Sequence, residues 1–122
     1  MDKNDAIGGL SALAQETRLA AFRYLIRHSP EGVNAGEIAR HCGVPHNTLS
    51  THLAILTRSG LIEAERQGRE VIYRADIAGF RALVEFLARD CCGGRPEICG
   101  PVFGKQAVRV RGKTFVPKRA AQ

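Results

Sequence analysis

The stretch "RDCCGGRPEICG", Arg89 to Gly100, holds three of the chain's four cysteines: Cys91 and Cys92 are adjacent, and Cys99 returns after a glycine pair and a proline. Thiolates are soft donors that select thiophilic ions, and the thiolate is also the nucleophile of disulfide and persulfide chemistry. Three thiols this close are a soft-ion site, a redox switch or a coincidence. An enzyme is the rival from another class, since adjacent cysteines could serve thiol oxidoreduction. Against it, the sequence shows no phosphate-binding glycine loop, no nucleophile and base pair, and no thioredoxin-like Cys-x-x-Cys.

At 122 residues the chain has room for one domain plus a tail. A core this small favours an extensive dimer interface. Hydrophobic residues make up 44% and charged residues 25% of the chain, as in soluble globular proteins. No apolar run approaches the ~20 residues of a membrane span. The start "MDKNDAIGG" is acidic where a secretory signal is basic, so the cytoplasm is the expected compartment. Thiols stay mostly reduced there, which favours ion binding or thiol chemistry over a structural disulfide framework. The net charge of +6 is localised: residues 1–99 balance 12 Lys/Arg against 12 Asp/Glu. The excess lies in Lys105, Arg109, Arg111, Lys113, Lys118 and Arg119, a basic tail without an acid and expected to be flexible. A claim of DNA binding must therefore rest on local geometry and not on the overall charge.

Apolar residues from Leu10 to His28 (Leu13, Leu19, Phe22, Leu25, Ile26) recur near every 3.6 positions and predict an amphipathic helix. Asn34 with Glu37 three residues on reads as a capping box opening the short helix "AGEIARHC", which Gly43 stops. A second helix is predicted from about His46 to Arg58, with Leu49, Leu53 and Leu56 inward. Next, "LIEAERQGREVIYRAD" alternates as two strands, Leu61 to Glu65 and Val71 to Arg74, turning at Gln67-Gly68. Asp76 is placed to cap a last helix through Cys92, whose Ile77, Phe80, Leu83, Val84, Leu87 and Cys91 share one stripe. This order predicts a mainly α fold with a β-hairpin wing, a winged helix-turn-helix over residues 1–92. Residues 93–122 are then a ligand loop and tail.

In a helix-turn-helix the first short helix holds the second against base edges in the major groove. With the leucines inward, His46, Asn47, Thr48, Ser50, Thr51 and His52 are free to touch double-stranded DNA, while Arg58, Arg66 and Arg69 can bind phosphates or enter the minor groove. For His52 a structural hydrogen bond is as reasonable as a DNA contact. His28 and His41 are expected on the solvent side, and Cys42 as a small apolar residue of the core.

The runs "LAQETRLAAFRYL" and "EIARHCGVPHNTLSTHLAILTRSGLIEAERQGREVIYR" resemble the ArsR/SmtB family of metal-responsive bacterial repressors, above all in Ser50-x-His52-Leu53-x-x-Leu56 followed by Gly60-Leu61-Ile62. The resemblance covers about residues 10–90. It implies a winged-helix homodimer paired through its first and last helices, with recognition helices on half-sites about one DNA turn apart. One departure is Pro45, which has a fixed φ and no side-chain acceptor where the family often sets a capping Ser.

Family members place sensing ligands at several locations. The Cys-x-Cys pair of the original arsenic sensors is missing, since "AGEIARHC" holds only Cys42, and residues 76–92 lack the His of the zinc sensors. Cys91, Cys92 and Cys99 resemble a subgroup that senses As(III) or Sb(III) through three cysteines at the end of the last helix. Structural zinc is almost always four-coordinate, so three thiolates fall one ligand short, whereas trivalent arsenic carries a lone pair in place of a fourth ligand. Neighbouring helix residues project about 100° apart, so Cys91 and Cys92 converge on one ion more easily if the final turn loosens. Gly93-Gly94 permits that turn, and Pro96 can help aim Cys99 back. The resemblance thus implies an arsenite- or antimonite-responsive repressor; a persulfide or disulfide switch on the same fold needs only two thiols.

Overall fold

Asp2 opens the first helix: its carboxylate accepts from the Asp5 amide at 2.8 Å, and the Asp5 carboxylate accepts from the Asp2 amide at 3.3 Å. This capping box satisfies two otherwise unpaired N–H groups, and α1 runs Lys3–Leu13. The computed structural model describes residues 1–88 and, beyond them, the backbone of strand residues 108–110 and 113–115. The chain forms two compact units, Met1–Leu83 and Val84–Gln122, the division falling within the last helix.

The helix predicted over Leu10–His28 is in fact two. Gln15 is extended (φ −150°, ψ 136°), its side chain accepts from the Arg18 amide at 2.8 Å, and α2 begins anew as Glu16–Arg27. The break re-phases the apolar stripe: Phe22 and Leu25 are buried, whereas Leu19 is 43% exposed. A short strand follows, β1 (Val33–Asn34), then α3 (Ala35–Cys42), α4 (His46–Arg58), β2 (Ile62–Gln67), β3 (Glu70–Ala75) and α5 (Ile77–Phe86). Asn34 caps α3 by accepting from the Glu37 amide at 3.0 Å. The expected capping box is only half formed, since the Glu37 carboxylate does not return to the Asn34 amide and lies 3.8 Å from Arg40 instead.

The predicted two-stranded wing is a three-stranded antiparallel sheet of order β1-β3-β2, because Val33 and Asn34 pair with Tyr73 and Ile72. Each wing strand is longer than the alternation suggests. Register pairs Ile62 with Ala75 and Gln67 with Glu70, so the tight turn is Gly68-Arg69 and not Gln67-Gly68.

Leu25, Ile38, Leu49, Leu53, Leu56, Leu61 and Leu83 are fully buried and form the centre of the first unit's core. Burial of each such side chain stabilises the fold by about 1.5–3 kcal/mol relative to exposure. The Phe22 and Phe80 rings meet at 5.2 Å with a 52° tilt, tying α2 to α5. Asp76 caps α5 as expected, accepting from the Gly79 amide at 2.9 Å. Beyond Phe86 the helix widens to a π-helical turn at Leu87 and Ala88. The predicted remainder of this helix, to Cys92, lies outside the described residues. In the second unit, β4 (Val108–Val110) and β5 (Lys113–Phe115) pair antiparallel.

Candidate nucleic-acid interface

Two short helices and a tight turn build the reading unit. Gly43 adopts φ +68°, a left-handed backbone that side-chain-bearing residues resist, and its amide donates to the Ala39 carbonyl at 2.8 Å to close α3. Pro45 then occupies the cap of α4 (φ −61°, ψ 149°) without a side-chain bond. Its carbonyl accepts from the Leu49 amide at 3.0 Å, so the helix starts at His46 without a side-chain cap. Proline's missing N–H costs nothing at a position where no partner exists.

Leu49, Leu53 and Leu56 anchor the inner face of α4, each no more than 1% exposed. The opposite face carries His46, Asn47, Thr48, Ser50 and Thr51, all exposed. Asn47 accepts from the Thr48 amide at 2.9 Å, and the Ser50 hydroxyl donates to the His46 carbonyl at 3.0 Å, which leaves its lone pairs available as acceptors. His52 stands apart from this set. It is half-buried, and its Nδ1 lies 3.1 Å from the Arg18 guanidinium, whose Nε donates to the Ala12 carbonyl at 2.7 Å. Sequence reasoning missed Arg18, since nothing in "QETRLA" marks one arginine as the partner of a histidine 34 positions on.

Arg58, Arg66 and Arg69 are exposed, and among the described residues none is paired with a carboxylate. Arg74 has a structural task instead, bonding Glu65 at 2.7 Å and the Pro30 carbonyl at 3.0 Å. The Gln67 amide and the Arg74 guanidinium hold the Glu65 carboxyl below the usual carboxylate range. An open groove of about 380 Å³ runs between the start of α3, the first turns of α4 and the wing, lined by Asn34, Gly36, His46, Ser50, Arg69, Glu70 and Tyr73 among others. It brings polar reading residues and a wing cation onto one surface, with Glu70 at its wall tied to the Asn34 amide at 3.2 Å. Such a surface can position a sugar-phosphate backbone while α4 presents donors and acceptors to base edges.

His28 and His41 are exposed, as expected, and flank Tyr24 at ring separations of 4.3 and 4.1 Å. Cys42 is half-buried, and burial pushes its thiol pKa up, the opposite of what a ready thiolate ligand needs. Among the described residues no three His, Cys, Asp or Glu side chains converge on one point. Cys91, Cys92 and Cys99, the expected ion ligands, lie outside those residues.

Residues 13–65 match a family model described as a helix-turn-helix domain. The transcriptional activator HlyU of Vibrio cholerae is 31% identical over 94 residues, spanning 75% of this chain and 84% of that relative. Its solved structure superposes with a TM-score of 0.59 over 75% of this chain and 99% of that one, and it has also been solved in a reduced form. The transcriptional repressor SmtB of Mycobacterium tuberculosis is 44% identical over 71 residues, 57% of this chain and 50% of the repressor. The homodimeric winged helix-turn-helix DNA-binding domain of a possible ArsR-family regulator from Mycobacterium bovis matches at 27% identity and a TM-score of 0.57, over 75% of this chain and 85% of that one.

Proposed function

Because the chain belongs to the ArsR/SmtB family of winged-helix transcriptional regulators, we propose that it is a repressor that binds operator DNA as a homodimer and leaves it when As(III) or Sb(III) binds Cys91, Cys92 and Cys99. The observation that carries the DNA half is the shared surface of α4 and the wing, where His46, Ser50 and Arg69 line one groove. No helix among the described residues is long and apolar enough to cross a membrane. Pairing through the first and last helices is supported by Ile7 and Leu10 of α1 and Ile77 of α5, which are 56%, 43% and 40% exposed in the single chain. The homodimeric relative from M. bovis supports it as well.

The inducer half rests on the donor set: three thiols suit a trivalent ion that takes three sulfurs and no fourth ligand. Leu87 and Ala88, the last described residues of this segment, are π-helical, and this supports a departure from regular α geometry a few residues before Cys91. At its other end α5 is tied to the close of the recognition helix, since the Asp76 amide donates to the Leu61 carbonyl at 2.9 Å. Ligation that remodels α5 thus has a short covalent and hydrogen-bonded path to α4. An ion with equal affinity for both states would not switch the protein; ligation must favour the state that binds DNA poorly.

A persulfide or disulfide switch is the second reading, favoured by the adjacency of Cys91 and Cys92 and by the relative solved in a reduced form. Arsenite titrated into the reduced protein on promoter DNA separates the two. Release from wild type, and from none of Cys91→Ser, Cys92→Ser and Cys99→Ser, supports the three-thiolate sensor. Release that survives loss of Cys99, or that needs an oxidant or persulfide, assigns the thiol switch.

A further inference from the structure

Arg18 holds two parts of the fold with one planar group. Its Nε donates to the Ala12 carbonyl in the last turn of α1 at 2.7 Å, and a terminal nitrogen lies 3.1 Å from Nδ1 of His52 in the middle of α4. A guanidinium has only donors, so Nδ1 must accept and the imidazole hydrogen sits on Nε2. We propose that Arg18 and His52 are a positioning pair that sets the recognition helix against α1, and that His52 serves DNA binding through Arg18 and not by touching DNA. The inference deepens the DNA-binding reading above and rests on it.

Burial separates His52 from its neighbours: it is half-buried, whereas Ser50 and Thr51 are exposed. Its bond is to a cation, which strengthens it relative to a bond between neutral groups. The rigid guanidinium fork fixes the spacing between its two acceptors, a task that the flexible, compact ammonium of lysine cannot copy. Arg18 also sits at the α1–α2 break, with its own backbone amide bonded to Gln15 at 2.8 Å. One residue thereby fixes how α1 enters α2 and where α4 lies against both. Since α1 carries the exposed Ile7 and Leu10, the pair connects the surface assigned to dimer pairing with the helix assigned to reading. A change in the angle of α1 is passed to α4, and loss of the pair lets α4 tilt away from a half-site whose distance from its partner is set by DNA.

Amide substitutions at position 52 test this directly, because asparagine offers its oxygen near the place of imidazole Nδ1 and glutamine reaches toward Nε2. Binding of promoter DNA is measured over a salt series, with thermal unfolding and the imidazole ¹⁵N shifts recorded alongside. His52→Asn is expected to bind within about threefold of wild type, whereas His52→Gln and Arg18→Met each lose about tenfold, the worth of one hydrogen bond to a charged group. The Arg18→Met/His52→Gln double variant is expected to lose no more than either single one. The slope of log affinity against log salt stays unchanged in Arg18→Met, because no phosphate contact is removed. Wild type shows the Nε2–H tautomer, and Arg18→Met loses that preference.

Glutamine binding as wild type while asparagine fails places His52 on DNA and overturns the proposal. So does a salt slope that falls by about one in Arg18→Met, which would put Arg18 itself on a phosphate. If Arg18→Met does not fold, the asparagine and glutamine comparison decides. Wild-type protein that binds no promoter DNA contradicts the repressor reading instead, while the tautomer still reports on the pair.

Discussion

Gly79, in the first turn of α5, lies against the backbone carbonyl of Gly60, just past the end of the recognition helix, so closely that a methyl group on Gly79 would overlap it. The obstacle is main chain and cannot swing aside. The close approach makes the start of α5 and the segment that closes α4 into one packed junction.

Gly79→Ala is therefore expected to destabilise the protein by about 1–3 kcal/mol, the usual cost of overpacking, and to weaken DNA binding beyond what the loss of folded protein explains. Urea unfolding together with DNA titration at a temperature where the variant is folded checks both parts.

Leu53→Ala removes a side chain that is 1% exposed at the centre of α4. A cavity there costs about 2–5 kcal/mol, a large part of the ~5–15 kcal/mol that holds a domain together. The midpoint of urea unfolding should fall accordingly. Thr51→Ala, on the exposed face of the same helix, should leave that midpoint nearly unmoved while weakening DNA binding.

Arg66 and Arg69 stand exposed on the wing without carboxylate partners among the described residues. Replacing either with alanine should leave the melting temperature unchanged and lower the salt slope of DNA binding by about 0.9 for each phosphate the side chain had neutralised. Arg74→Ala should do the reverse, destabilising the wing by removing the bonds to Glu65 and the Pro30 carbonyl, with the melting temperature as the readout.

Burial raises the Cys42 pKa, so this thiol stays protonated at neutral pH and should alkylate slowly. In a variant with Cys91, Cys92 and Cys99 all replaced by serine, the labelling rate at Cys42 should keep climbing with pH beyond the range of an ordinary cysteine. The linked stability is present below the pKa of the unfolded thiol and is lost as pH rises through the higher folded value. Fast labelling at neutral pH would contradict the burial account.

Much of this was legible in the residues themselves because it is local. The i, i+4, i+7 spacing of Leu49, Leu53 and Leu56 and the caps at Asn34 and Asp76 depend on neighbours within one or two turns, and the structure has all of them. The α1–α2 break was not legible, because Gln15 is a rare cap and apolar residues continue on both sides of it. The strand β1 has two residues, too few to alternate. The bond between Arg18 and His52 joins residues that only the packed helices bring together. The solvent-exposed side of α4 could be read by subtraction, as whatever the inward leucines leave outside.

Arsenic K-edge absorption of the reduced dimer loaded with arsenite tests the three-thiolate claim most directly, by counting the sulfur atoms bound to each arsenic. Three sulfurs, at one arsenic per protomer and falling to two in Cys99→Ser, is the result expected of a site built from Cys91, Cys92 and Cys99. Two sulfurs in wild type, unchanged by loss of Cys99, would contradict it.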